Sequence, residues 1–263
     1  MTPRVLHSAS LECLPLSRSV HGGRHELGQN FLYHRPTIDR IVRLVRATDG
    51  PILEIGAGDG AITRQLATLG RDVRAVDLDE HRVRRLRWHL PSVSVIHGDA
   101  LRIPLDRPVV VGNLPFHLTT PILRRLLTNS GMMAEAVLLT QWEVARKRAG
   151  VGGRTMLTAQ TAPWFGFALH GRVPAEAFRP KPGVDGGLLT ISRRRSPLVE
   201  PAERAAYEQF VREVFTGRGR GIEQILTSAV PKPWRAILRS AGVPPSALPR
   251  DLTPRQWAAV WNG

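Results

Sequence analysis

Apolar and polar positions along this chain alternate in the rhythm of short buried strands and amphipathic helices. Pro51-Ile52-Leu53-Glu54-Ile55 is an apolar run of strand length. It breaks into Gly56-Ala57-Gly58-Asp59-Gly60, and a segment over 61–69 follows with Ile62, Leu66 and Leu69 at helical spacing. Upstream, a helix opening at Pro36 sets Ile38, Ile41, Val42 and Val45 on one face. Downstream, strands over 72–76, 93–96, 108–112 and 135–140 alternate with helices over 80–89, 121–128 and 141–150, and further strands are predicted over 157–162, 165–170 and 187–192. The alternation predicts an α/β, Rossmann-like sheet. A charged, proline-containing break at 193–197 precedes helical segments over 202–215, 222–229, 233–240 and 254–261. The expected organisation is a basic flexible tail over 1–24, a Rossmann-like domain over 25–192 and a small all-α C-terminal domain over 193–263.

Composition narrows the class. The chain has 263 residues, 42% of them hydrophobic and 22% charged, as in a folded soluble protein. No run approaches the roughly 20 apolar residues of a membrane span, and the N-terminus lacks a continuous apolar signal core. The single cysteine, Cys13, excludes an intrachain disulfide and a cysteine-built zinc site. A cytoplasmic monomer that uses no metal is expected. The net charge of +15 changes the picture most. It rests almost wholly on arginine, whose planar fork suits phosphate, and it predicts a polyanionic partner, a nucleic acid.

Strand, glycine turn and helix form a place where a ligand can lie against bare backbone. The glycines fall as G-x-G-x-G, not as the G-x-G-x-x-G of dinucleotide sites, and Glu54 stands just before them. A pyrophosphate near Glu54 and Asp59 would be repelled, whereas a cationic sulfonium would not. The charges therefore favour S-adenosylmethionine. Asp77 ends the second strand about 20 residues past Gly56, where such folds place the carboxylate that accepts from the ribose hydroxyls. Asp99, at the end of the third, is positioned to accept from the adenine amino group.

After the fourth strand comes Asn113-Leu114-Pro115-Phe116. An exocyclic adenine amine is a poor nucleophile because its lone pair is delocalised into the ring. The Asn113 side-chain oxygen and the Leu114 carbonyl can each accept one of its N–H groups and aim the lone pair at a methyl carbon. Pro115 stiffens the turn and removes a competing N–H. Phe116 offers a face on which an extruded base can stack. A second aromatic loop, Phe178-Arg179-Pro180-Lys181-Pro182, suits the other wall of a base pocket. Polar Gln29-Asn30 against Phe31-Leu32 suggests a segment folded over the ligand.

Together these blocks, with Gly98-Asp99-Ala100-Leu101, resemble the signature blocks of the ribosomal RNA adenine N6-methyltransferases over roughly residues 25–192. Gln141-Trp142-Glu143-Val144-Ala145-Arg146-Lys147-Arg148 and Pro163-Trp164-Phe165 resemble the Erm macrolide-resistance branch. The resemblance implies a class I methyltransferase sheet and methylation of one adenine in the peptidyl transferase loop of large-subunit (23S) ribosomal RNA. It also implies resistance to macrolide, lincosamide and streptogramin B antibiotics. S-adenosylmethionine would then be held by Gln29, Asn30, Leu32, Glu54, Gly56, Gly58, Asp77, Asp99 and Asn113, with Phe116 and Phe178 at the target base. Two residues depart from the family pattern: Asp77 stands where Glu is usual, and Gly186 where Ser often follows Val184-Asp185. Competing expectations are a small-subunit (16S) ribosomal RNA adenine dimethyltransferase, a DNA adenine methyltransferase, and a nucleic-acid-binding factor of the same fold.

Overall fold

The computed structural model describes residues 30–128, 132–229 and 232–263. The expected basic tail over 1–24 and the site residue Gln29 lie outside them. In chain order the first half comprises β1 (Phe31–Leu32), α1 (Arg35–Arg46), β2 (Ile52–Ile55), α2 (Thr63–Ala67), β3 (Val73–Asp77), α3 (Glu80–His89), β4 (Ser94–His97), β5 (Val109–Asn113) and α4 (Thr119–Thr128). There follow β6 (Glu135–Gln141), α5 (Trp142–Arg148), α6 (Met156–Thr161), β7 (Phe165–Val173), β8 (Phe178–Arg179) and β9 (Gly186–Arg193). The chain ends in α7 (Arg204–Thr216), α8 (Ile222–Ala229), α9 (Trp234–Ser240) and α10 (Pro254–Asn262).

Seven strands form one sheet in the order β4-β3-β2-β5-β6-β9-β7. The first five are parallel, and β9 runs antiparallel between β6 and β7. The chain starts at β2, winds outward to β4, then returns to β5 on the other side. Strand order therefore reverses between β2 and β5, and open α/β sheets take their ligands at the carboxyl end of such a switch point.

The central strands are buried on both faces, so they read as apolar runs. Alternation still sorts their side chains. Leu53, Ile55 and Val110 enter one core, whereas Ile52, Val109 and Val111 enter the other. Glu54 falls on the Ile52 face and is itself 1% exposed.

Two expectations change. Residues 157–162, predicted as a strand, form α6, whose N-cap Thr155 accepts from the Thr158 N–H. Leu157 to Thr161 are all buried, the polar Thr158, Gln160 and Thr161 included, so polar positions do not mark an outer face, and so short a segment cannot be told from a strand by periodicity. The boundary at 193–197 separates sheet from helices in sequence but not in packing. One apolar core runs from Leu53 and Leu138 through Ala159 and Trp164 to Tyr207, Val211 and Trp257. Tyr207 donates to the Ala159 carbonyl and sits edge-on between Trp164 and Trp261. Arg193 and Arg194, read as a loose charged break, clamp the Met133 and Ala162 carbonyls at 2.9 Å.

Candidate active site

β2 ends at the switch point and gives way to the glycine loop. Gly56, Gly58 and Gly60 all have positive φ, at 74°, 55° and 79°. The backbone thus requires glycine there, beyond any need for bareness. A Cβ on Gly56 would lie 3.3 Å from the Asn113 carbonyl oxygen, because Ile55 pairs with Gly112 and the two strand ends run side by side.

Asp77 closes β3 beside this loop and is 3% exposed. One carboxylate oxygen accepts from the Gly58 N–H at 2.7 Å, the other from the Asp79 N–H at 2.9 Å. Burial pushes its pKa up, while those two backbone donors and Arg82 hold it back. Each oxygen keeps a lone pair for a further donor.

Asn113, at the end of β5, donates from its side-chain nitrogen to the Asn30 carbonyl at 2.7 Å. A carbonyl can only accept, so the amide is oriented, and its oxygen remains as an acceptor in the cleft. The Leu114 N–H donates to the Leu139 carbonyl of β6 at 2.9 Å and fixes the turn. Pro115 precedes a single 3₁₀ turn that carries half-buried Phe116. Phe178 meets Phe116 edge-on with ring centroids 6.2 Å apart. At 1% exposure Phe178 presents no open face, so it backs Phe116 instead of forming the expected second wall of a base pocket.

The segment expected to fold over the ligand lies beside the glycine loop. β1 pairs antiparallel with β8, matching Leu32 to Phe178, and so ties the Asn30 segment to the proline loop. Phe31 reaches over the glycine loop: its ring carbon Cδ1 lies 3.1 Å from where a Cβ on Gly58 would sit. The Arg82 guanidinium caps the same ring at 4.1 Å. Sequence reading passed over Phe31 in favour of Leu32, although strand alternation sends the two to opposite sides. Leu32 is 4% exposed and belongs to the core.

A cleft is lined by Asn30, Phe31, Gly56, Gly58, Asp77, Asn113, Leu114 and Pro115. These residues bring one carboxylate and no cation. The nearest cation, Arg82, stands over the Phe31 ring and is paired with Asp59, so the lining itself favours a cationic ligand over a pyrophosphate. Two expected carboxylates, Asp99 and Glu54, stand apart from this lining, and Asp59, read only as a charge near the ligand, is ion-paired with Arg82 and Arg85. Asp99 is half-buried at the tip of β4, accepts from the Leu101 N–H at 2.8 Å, and is not among the lining residues. Glu54 is buried behind the loop, where burial foremost, with the nearby Asp77 charge, pushes its pKa up to about 8 against the lowering contact with Thr63. At neutral pH it is an acid, not an anion, so the selection by charge falls to Asp77. Among the described residues no cluster of His, Cys, Asp or Glu could hold a metal ion.

Fold, switch point and cleft together define a class I methyltransferase suited to S-adenosylmethionine and an amine acceptor. The chain belongs to the ribosomal RNA adenine dimethylase family, whose model matches residues 20–262. It is thus an S-adenosylmethionine-dependent ribosomal RNA adenine N6-methyltransferase. It is 51% identical over 246 residues to the mycinamicin-resistance protein MyrB of Micromonospora griseorubida, covering 92% of this chain and 79% of that one. It is 48% identical to an rRNA adenine N-6-methyltransferase of Corynebacterium diphtheriae, covering 90% and 96%. The crystal structure of the 23S rRNA methyltransferase ErmE superposes with a TM-score of 0.81 at 34% identity, covering 89% of this chain and 98% of that one.

Proposed function

We propose that this enzyme methylates N6 of one adenine in the peptidyl transferase loop of 23S ribosomal RNA and thereby protects the ribosome from macrolide, lincosamide and streptogramin B antibiotics. The chemistry rests on one observation: Asn113 is oriented by the Asn30 carbonyl so that its side-chain oxygen is left to accept. The choice of RNA is supported by the likeness to ErmE and to a mycinamicin-resistance protein. On this reading the enzyme acts on ribosomal RNA in the cytoplasm, as a monomer that uses no metal. No helix of the described residues is long and apolar enough to cross a membrane.

Gly56 and Gly58 give the cofactor bare backbone, and Asp77 accepts from its ribose hydroxyls. Asn30 and the main chain at Leu32 close over it, with Asp99 at the adenine end. When bound, S-adenosylmethionine supplies an electrophilic methyl group on a cationic sulfur. Phe116, braced by Phe178, stacks the extruded adenine. The Asn113 oxygen and the Leu114 carbonyl each accept an N–H from its amino group and turn the nitrogen lone pair toward the donor. No base is needed beforehand, because the nitrogen becomes acidic only once it carries the new bond; its proton then leaves to water.

Mass spectrometry of RNA fragments after incubation with S-adenosylmethionine tests this reading. One or two methyl groups are expected on a single adenine of a 23S fragment, with 16S fragments and duplex DNA unchanged. Methylation of two adjacent adenines in a 16S fragment would overturn the choice of target.

A further inference from the structure

A second groove opens beside the catalytic corner and has no part in the chemistry above. It is an open groove lined by the start of α5, the end of β7 and the loop between β8 and β9. Its floor is half-buried Trp142, which is held firmly. The Trp142 N–H donates to the Asp185 carbonyl at 2.8 Å, and a Cβ on Gly187 would lie 3.3 Å from ring carbon Cε3. Over the ring stands the Arg172 guanidinium, 5.8 Å from the centroid. Arg172 is 63% exposed and anchored by Asp185 at 2.5 Å.

The 5.8 Å from the Arg172 guanidinium carbon to the ring centroid lies at the outer edge of cation–π attraction. A flat ring between two stacking partners needs roughly 7 Å, two base-stacking steps, and the exposed Arg172 side chain can move to give it. The rim supplies an amide at Gln141, a carboxylate at Glu143 that is paired with Arg146 at 2.8 Å but keeps lone pairs for the amino or imino edge of a base, and cations at Arg172 and at Lys181, the latter paired with Glu176 at 2.5 Å. The position fits as well. Asn113 pairs with Leu139 on β6, and Gln141 lies two residues beyond it. One strand spacing and two residues of rise place the Cα atoms of Asn113 and Gln141 about 8 Å apart. That is about one nucleotide along an unstacked strand. The groove wall is also the loop that follows Phe178, the ring that braces Phe116.

We propose that this groove is a second base-binding subsite, in which a nucleotide adjacent to the target adenine on the same RNA strand inserts between Trp142 and Arg172. The subsite rests on the RNA reading above and adds to it. Holding a neighbour of the flipped base fixes the strand on that side of the pocket and contributes to selection of one adenine among many. Stacking on aromatic rings is sequence-tolerant, so discrimination would come from the edge contacts of Gln141 and Glu143.

The test uses the full chain and a 23S stem-loop carrying the target adenine, with an abasic site placed in turn at each neighbouring position. For the unchanged enzyme, one of the two abasic RNAs should raise KM by about 5- to 100-fold. Trp142→Ala should raise KM for the intact RNA by a similar factor and lose its sensitivity to that abasic site. Its kcat at saturating RNA and its Kd for S-adenosylmethionine should stay within about 2-fold, which also reports that the variant is folded. Trp142→Phe should recover most of the lost affinity. Equal abasic penalties in the unchanged enzyme and Trp142→Ala, or no penalty in either, overturn the subsite alone. Failure of the unchanged enzyme to methylate this RNA overturns the functional reading and the subsite with it.

Discussion

The side-chain nitrogen of Asn113 lies 2.7 Å from the carbonyl oxygen of Asn30, 83 residues earlier in the chain. A main-chain acceptor in the ligand-covering segment thus decides which way the amide of the catalytic turn faces. On the role proposed for Asn113, the contact ties the position of the β1 segment to the orientation of the acceptor meant for the substrate amine.

Asn113→Ala should lower kcat by about 100-fold or more, because an acceptor that strengthens in the transition state is removed. Affinity for the RNA should stay within about 3-fold. Asn113→Asp should be as damaging for a different reason: its carboxylate would face the Asn30 carbonyl and displace β1. It should therefore weaken S-adenosylmethionine binding, which Asn113→Ala should do less. Single-turnover kinetics and calorimetric titration of the cofactor separate the two, and equal loss of RNA binding and turnover in Asn113→Ala would count against the assigned role.

Gly58→Ala tests the cover. Gly58 has a φ of 55° and a Phe31 ring carbon 3.1 Å from the added methyl. The left-handed backbone alone costs about 1 kcal/mol. The ring must also withdraw, so cofactor affinity should fall by about 10-fold or more. Phe31→Ala in the same chain should restore part of the affinity if the ring is the obstacle. An affinity unmoved by Gly58→Ala would show that β1 does not close over this loop.

Much of this arrangement was legible in the sequence because the chemistry sits at strand ends. Apolar runs of strand length broken by glycine or by Asn-Leu-Pro-Phe mark both the sheet and its carboxyl edge. Gly56, Asp77 and Asn113 were therefore locatable from pattern alone. Contacts that depend on tertiary geometry were not legible. Phe178 reads as an exposed aromatic beside prolines, yet pairing of β8 with β1 turns it inward. Glu54 reads as a site carboxylate and Asp59 as a charge near it, yet the first is buried with a raised pKa and the second is neutralised by arginines of α3. Only the fold shows Arg82 over Phe31. Helix α6 is not legible because its polar residues Thr158, Gln160 and Thr161 are buried together with the apolar ones, so polarity does not follow its period.

Glu54 gives a pH signature. Its pKa of about 8 in the fold stands above the ordinary 4.5, so the native state holds its proton more tightly than the unfolded chain. Stability present below about pH 4.5 is therefore lost as pH rises toward 8, by an amount on the order of a few kcal/mol. Glu54→Gln keeps the shape and removes the titration. The variant should lose less stability than the unchanged protein between pH 5 and 8, measured by denaturant midpoints at each pH. Parallel pH profiles for the two proteins would show that Glu54 is ionised in the fold.

Phe116 and Phe178 should separate by kind of effect. Phe116→Ala should raise KM for RNA and lower kcat by about 10-fold or more, with Phe116→Tyr recovering most of both, since a flat face is what the base requires. Phe178→Ala should instead cost about 3–5 kcal/mol of stability, the range for removing a fully buried ring. Phe178→Leu should regain much of that stability but leave kcat depressed, because an aliphatic chain fills the core without bracing Phe116 edge-on. Thermal unfolding and steady-state kinetics on the four variants decide it: a Phe178→Leu enzyme with full kcat would show that the 6.2 Å ring pair has no catalytic consequence.

A chain ending at residue 195 should fail to fold as a working methyltransferase, although every residue of the cleft precedes that point. The helices beyond it cover Ala159 and Trp164 with Tyr207, which is fully buried, and with Trp261 at 5.7 Å from the Tyr207 ring. Their removal exposes an apolar face of the sheet core and leaves the Ala159 carbonyl without its phenol donor. Tyr207→Phe in the whole chain removes only that hydrogen bond and should cost about 1 kcal/mol while S-adenosylmethionine still binds. The truncated chain should show cofactor binding too weak to titrate and a dye-binding, aggregating state. A soluble 195-residue fragment that bound the cofactor like the whole chain would mean that the two parts are independent domains and that the shared core has no energetic weight.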